Sequence, residues 1–233
     1  MIALVEQPYT CQYCNHKFTK EKTLAVHICE QKRRALSKNE KHVLLGYETY
    51  NQFYKLTQKF DGNKTYDEFA KSPYYNAFVK FGSFISNVAP LYPNQFIKYV
   101  VTSGVKLDHW CKDSLYEEWL HDYVKRENVQ DALERGIREM QAYAEDHPEL
   151  KNGYVDYFRY GNHNRICFHI TTGRLSPWVL YNCDSGVDFL SSIDGHAVEL
   201  IMPWIDPDYW QKKFADYMAD TEWAKHMLSQ AGL

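Results

Sequence analysis

Cys11 and Cys14 stand two residues apart in TCQYCNHKF, twelve residues intervene before His27, and Cys29 follows His27 after a single residue. The C-x₂-C spacing lets one tight turn aim two thiolates at the same tetrahedral ion. Thiolates and an imidazole together suit zinc, so the expected chemistry is metal binding by Cys11, Cys14, His27 and Cys29 with Zn²⁺ as cofactor. The pair His27 and Cys29 constrains the backbone, because two positions so spaced project about 200° apart around an ideal helix. Both reach one ion only if the helix unwinds or ends there. His16 is the reserve for the fourth position. The competing reading is a hairpin with two free thiols and a helix carrying an unligated histidine.

The elements that must position these ligands are a short hairpin and a helix. Phe18 and Leu24 fall where a very small core needs them, and Tyr9 sits two residues before Cys11. Over Tyr9–Arg34 the chain resembles the C₂H₂ zinc-finger family, which implies a ββα unit built around zinc. It departs from that family at the second histidine, where Gln31 stands at the usual gap and Cys29 comes early. A C₂HC variant is therefore expected. Under this resemblance the base-reading positions fall on Lys20, Thr23 and Val26. Lys20 can donate to guanine and Thr23 can meet a base edge or methyl group, whereas Val26 offers only apolar contact. One finger covers roughly 3 bp, so affinity for DNA would come from phosphate contacts by Lys17, Lys20, Lys22, Lys32, Arg33 and Arg34.

Charge is distributed to match. Residues 1–42 hold eight Lys or Arg against four Glu, a net of +4, while the whole chain is −3 and the remainder therefore −7. A basic end on an acidic body is the arrangement expected when one end meets a polyanion. Nucleic-acid contact, protein contact alone and a purely structural finger all stay open, since KRR also suits the negative end of a helix. No stretch approaches the roughly 18 apolar residues of a membrane span, and Met1 to Val5 is too short for a signal peptide. The remaining cysteines, Cys111, Cys167 and Cys183, are dispersed. An intracellular, cytoplasmic location is expected, in a host cell if the protein is viral.

Beyond the finger the sequence predicts helices. Ser37 or Asn39 can cap one running to about Phe60, with Val43, Leu44, Tyr47, Tyr50 and Tyr54 as its stripe. Thr65 and Glu68 form a capping box. Ser72-Pro73 starts a third helix carrying Phe78, Phe81, Phe84 and Ile85, and Pro93 opens another that Gly104 ends. Asp108 or Asp113 begins the next, with Leu115, Trp119 and Tyr123 on one face. Asn128 caps a charged, solvated helix. Pro148 and Gly153 mark a boundary, after which YVDYFRYG, RICFHITTG and SPWVLYNC read as three antiparallel strands turning at Thr172-Gly173-Arg174. Helices return at the end, one with Asp206 as cap and Pro207 in first position; residues 184–233 carry a net of −6. The expected organisation is a finger (1–36), a helical body (37–150) and a sheet with C-terminal helices (151–233), an α+β fold.

Catalytic signatures are absent: no phosphate-binding Gly loop, no G-x-S-x-G, no H-E-x-x-H. His169 with Thr171 supplies half of a two-histidine phosphoesterase pair, and no second half occurs. His163, Arg165 and His169 with Asp184 or Asp188 form a candidate metal or nuclease cluster, opposed by the plainer reading of polar residues on a wet strand face. Arg159, Arg165 and Arg174 among Tyr157, Tyr160, Phe168, Trp178 and Tyr181 would suit a single strand held by phosphate contacts and stacking. The finger followed by a long aromatic helical body is similar to uncharacterised proteins of large tailed bacteriophages, which implies a small binder of nucleic acid or host machinery. The leading expectation is a non-enzymatic DNA-binding accessory protein with a protein partner in replication, transcription or packaging. The alternatives are a protein-interaction factor and a metal-dependent nuclease.

Overall fold

A computed structural model describes residues 9–59 and 61–233, which divide into two compact units, one ending at Leu115 and the other starting at Tyr116. The first opens with β1 (Tyr9–Thr10) and β2 (Lys17–Phe18), antiparallel with Tyr9 opposite Phe18 and Thr10 opposite Lys17. Helices α1 (Glu21–Ala25), α2 (Glu30–Leu36), α3 (Lys41–Gln58), α4 (Tyr66–Lys71), α5 (Tyr75–Val88) and α6 (Pro93–Thr102) follow, then the start of α7 (Asp113–Arg126). Helix α3 ends with Lys59 in the left-handed conformation; Phe60, Met1 to Val5 and Glu6 lie outside the described residues.

Helix α3 is the spine of this unit, packing on α5 and α6. The contact with α5 is unusually close. A Cβ added to Gly82 would stand 2.0 Å from the His42 carbonyl oxygen, and one added to Gly46 would stand 2.7 Å from that of Phe78. Glycine at both positions lets the two backbones touch. Around the crossing Tyr50, Phe69, Phe78, Phe81 and Trp110 form a buried aromatic cluster with ring centroids 5.1–6.0 Å apart for the contacting pairs Tyr50–Phe69, Tyr50–Phe78, Phe78–Trp110 and Phe81–Trp110. The capping box at Thr65 and Glu68 forms as expected, and Pro93 occupies the first turn of α6 before Gly104 at φ 74°. Neither Ser37 nor Asn39 caps α3, since Ser37 closes α2 and Glu40 precedes α3. Leu44, expected in the core stripe, is exposed.

The second unit takes the rest of α7, then α8 (Val129–Glu145), α9 (Tyr157–Tyr160), α10 (His163–Thr171), α11 (Pro177–Leu180), α12 (Asp184–Ser192), α13 (Gly195–Ile205), α14 (Pro207–Asp216) and α15 (Met218–Gln230). Asn128 caps α8 and Asp206 caps α14 with Pro207 in its first turn, as the sequence indicates. Helix α8 is amphipathic rather than merely solvated, burying Ala132, Leu133, Gly136, Met140 and Tyr143. It packs on α11 and α15, while α10 packs on α13. Glu127 and Arg135 form a buried ion pair at 2.6 Å.

The expected sheet over 154–183 is replaced by α9, α10, α11 and the turns between them, and β1 and β2 are the only strands among the described residues. Local chemistry explains the difference. The Asn162 side chain caps α10 by accepting from the Arg165 N–H at 3.2 Å. Ser176 caps α11 by accepting from the Trp178 N–H at 3.3 Å, with Pro177 preset for the first helical position. Gly173, at φ 70°, ends α10 in the left-handed region instead of turning a hairpin. The alternation of Ile166, Phe168 and Ile170 is accidental: Ile166, Cys167, His169 and Ile170 are buried at helical intervals, whereas Phe168 is 44% exposed. Cys167 and Cys183 are buried free thiols. The fold is mainly helical, with one two-stranded sheet near the amino terminus.

Candidate metal centre and the other predicted site residues

The four residues expected to hold the metal come together from three short elements. The turn between β1 and β2 presents Cys11 and Cys14; it is closed by the Cys11 N–H donating to the His16 carbonyl and the Asn15 N–H donating to the Cys11 carbonyl, both at 2.9 Å, with Asn15 left-handed at φ 58°. Helix α1 stops at Ala25, and His27 follows in the irregular segment beyond it, its N–H donating to the Leu24 carbonyl at 3.1 Å. Cys29 is the N-cap of α2, its sulfur accepting from the Lys32 N–H at 3.4 Å. The helix break that the His27–Cys29 spacing demands is therefore present, and the start of a second helix lies at Cys29.

The four ligand atoms all lie within 4.8 Å of one another. The Sγ atoms of Cys11 and Cys29 are 3.9 Å apart, and Cys14 Sγ is 3.4 Å from His27 Nε2. Zn–S bonds of about 2.3 Å and Zn–N bonds of about 2.0–2.1 Å give tetrahedral edges of about 3.8 Å and 3.5 Å. Donor type and spacing thus fit one tetrahedral ion. Among the described residues no other group of three or more His, Cys, Asp or Glu side chains shares such a space. His16 is outside the cluster; its ring packs on Phe18 at 4.7 Å and lies 6.2 Å from that of His27. Phe18 in turn contacts the His27 ring at 4.8 Å, holding the imidazole from behind.

The thiols differ in their ease of ionisation. Burial opposes charge on Cys11, but the backbone N–H groups of Cys14 and Tyr13 outweigh it and hold that thiol below its ordinary value. At Cys14 the His16 N–H lowers the value and is outweighed by burial and by the Cys11 and Cys29 sulfurs, so this thiol lies above it. Three sulfurs crowded in this way repel as thiolates, and a divalent cation between them removes the repulsion.

The predicted phosphate contacts separate into two groups. Lys17, Lys20, Lys22 and Thr23 are exposed along β2 and α1. Arg33 is exposed but paired with Glu30 at 2.5 Å, and Lys32 donates from Nζ to the His27 carbonyl at 3.2 Å. Arg34 is committed inside the protein: it pairs with Glu30 at 3.1 Å, donates to the Ala70 carbonyl at 2.6 Å and stands 4.3 Å over the Tyr75 ring. The run closes helix α2, as one reading of KRR expected, but the partners of Arg34 on Ala70 and Tyr75 were not visible in it.

In the second unit the residues expected on a sheet are dispersed over helices. Arg159 is exposed. Arg165 covers the Phe168 ring at 5.0 Å, and Arg174 pairs with Glu139 at 3.4 Å. Tyr157 and Trp178 are buried in the core and unavailable for stacking. The expected cluster of His163 and His169 with Asp184 or Asp188 does not assemble. His163 is exposed and packs edge-on against Phe189, whereas His169 is 1% exposed and lies against Tyr157 and Glu139. No helix among the described residues is long and apolar enough to cross a membrane. The chain matches no protein-family model, no curated protein and no solved structure.

Proposed function

We propose that the amino-terminal segment is a C₂HC-type zinc finger that presents a basic surface to DNA, and that the protein acts as a non-enzymatic accessory factor of a DNA-processing machine. The observation that carries this reading is the convergence of Cys11, Cys14, His27 and Cys29 within 4.8 Å on a segment whose outer face bears Lys17, Lys20, Lys22 and Thr23. Lys20, Thr23 and Val26 lie at intervals of three along and just beyond α1, so they face one side together. Lysines at this density favour phosphate contact, with little base selection from a single finger.

The test is binding of the full chain to duplex DNA as a function of salt. Replacing Lys17, Lys20 and Lys22 by Glu should abolish most of the affinity, and single replacements by Gln should each lower the salt slope by about one. Unchanged binding in the triple variant would reject the DNA reading.

A protein-docking finger is the second reading, and one observation favours it. Val26 and Ile28, on either side of the ligand His27, are 77% and 64% exposed. An exposed apolar pair on a lysine-rich segment suits an acidic partner surface with an apolar centre. Copurification of a partner lost on Val26→Ser with Ile28→Ser, with DNA binding intact, would support this reading over the first.

A further inference from the structure

Helices α8 and α10 enclose a pocket of 370 Å³ whose two walls differ in chemistry. Helix α8 lines it with Glu139, and its C-cap Asp146 and the next residue, His147, continue that wall; α10 lines it with Arg165 and His169, next to its cap Asn162. The volume is at the small end of the range for ligand pockets, about 300–1,000 Å³.

Hydrogen bonding fixes which groups donate and which accept. The ring nitrogen Nδ1 of His147 lies 2.7 Å from the Tyr143 carbonyl, so it carries the proton and leaves Nε2 as an acceptor. The α8 side therefore offers two carboxylates and an imidazole lone pair. On the α10 side, His169 Nδ1 is 2.7 Å from the Tyr157 hydroxyl. Nε2 faces the Glu139 carboxylate, which can only accept, and the Tyr157 hydroxyl has no other partner among the described residues, so the hydroxyl donates to Nδ1 and His169 carries its proton on Nε2. This nitrogen is fully buried and makes no well-aligned hydrogen bond, although the Glu139 carboxylate stands 3.3 Å away off its axis. Arg165 lays one face on Phe168, and among the described residues neither it nor Asp146 has an ion-pair partner. Glu139 shares its charge with Arg174 at 3.4 Å.

A donor wall thus faces an acceptor wall, with a cation on one and an anion on the other that are unpaired among the described residues, and with the buried His169 imidazole lining the space beside Glu139. A simple anion meets Glu139 and Asp146; a simple cation meets Arg165. We propose that this pocket binds a small zwitterion of the α-amino acid class, its carboxylate held by Arg165 and the Nε2–H of His169 and its ammonium by Asp146, Glu139 and His147.

The test uses the full chain and isothermal titration with individual L-amino acids, with succinate and 1,4-diaminobutane as probes bearing one sign of charge only. At least one amino acid should bind at micromolar to millimolar concentration, and both single-sign probes should bind about tenfold more weakly or not at all. Arg165→Gln and Asp146→Asn should each weaken the amino acid by about tenfold or more, the loss expected for one charge-assisted hydrogen bond. Both residues are exposed, so circular dichroism should be unchanged in either variant. Absence of binding by every amino acid, equal binding by succinate or diaminobutane, or binding unaltered in both variants would overturn the proposal.

Discussion

The Cys/His segment and the α3–α5 pair are both small pieces of backbone held in fixed register, and they are held by opposite means. Helices α1 and α2 bury no residue, and Cys11 is the only buried side chain among the described residues before Val43. Across the α3–α5 crossing, by contrast, glycines bring backbones into contact and aromatic rings fill what remains. Fully burying one large apolar side chain is worth roughly 1.5–3 kcal/mol. The body has many such side chains and the segment almost none. A stretch of this length without a core needs a cross-link, and the four ligand atoms supply the place for one.

The comparison breaks most visibly on metal removal. Chelation, or Cys11→Ser, should remove apparent binding energy of about 10–16 kcal/mol from the segment. Amide exchange over residues 9–36 should become fast while helical circular dichroism from α3 onward is retained. The reverse experiment acts on the body: Phe78→Ala should destabilise it by about 3–5 kcal/mol. Gly82→Ala should do so by about 1–3 kcal/mol, because the added methyl group forces α3 and α5 apart. Chemical denaturation measures both, and metal content should not change. Loss of zinc from Gly82→Ala would mean that the two regions are not independent. Asn128→Ala, which removes the cap of α8, should lower stability by about 1 kcal/mol, also without touching the metal.

A gradual pH effect sharpens the contrast further. Burial holds the His169 value down to about 4, partly opposed by Glu139, against 6.5 for the free side chain. Between those values the unfolded chain binds a proton that the folded chain refuses, so stability falls as pH drops from about 6.5 to about 4. Above 6.5 this group contributes no slope. Urea unfolding across that window should show a shallower pH dependence in His169→Gln than in the parent protein.

The ligand set was legible because coordination chemistry depends on residue type and spacing, and a break before Cys29 followed from helix geometry alone. Caps were legible for the same reason: Thr65 with Glu68, Asn128 and Asp206 each act through side chains within a few residues. The sheet expected over 154–183 failed where two periods competed over a short run. Ile166, Phe168 and Ile170 alternate as in a strand, but Asn162, Gly173 and Ser176 punctuate the chain as helix ends, and those local hydrogen bonds prevailed. Arg34 and the α8–α10 pocket depend on partners far along the chain, such as Ala70 for Arg34 and Glu139 for His169 and Arg174. Neither meeting was visible in the sequence, where residues 162–169 read as strand rather than as the helix that faces α8.

Metal analysis of the purified full chain tests the central claim most directly. One equivalent of zinc per chain, lost in Cys11→Ser and retained when His16 is replaced by Ala, is the predicted result. A protein that carries no zinc, or that keeps it without Cys11, would contradict the account.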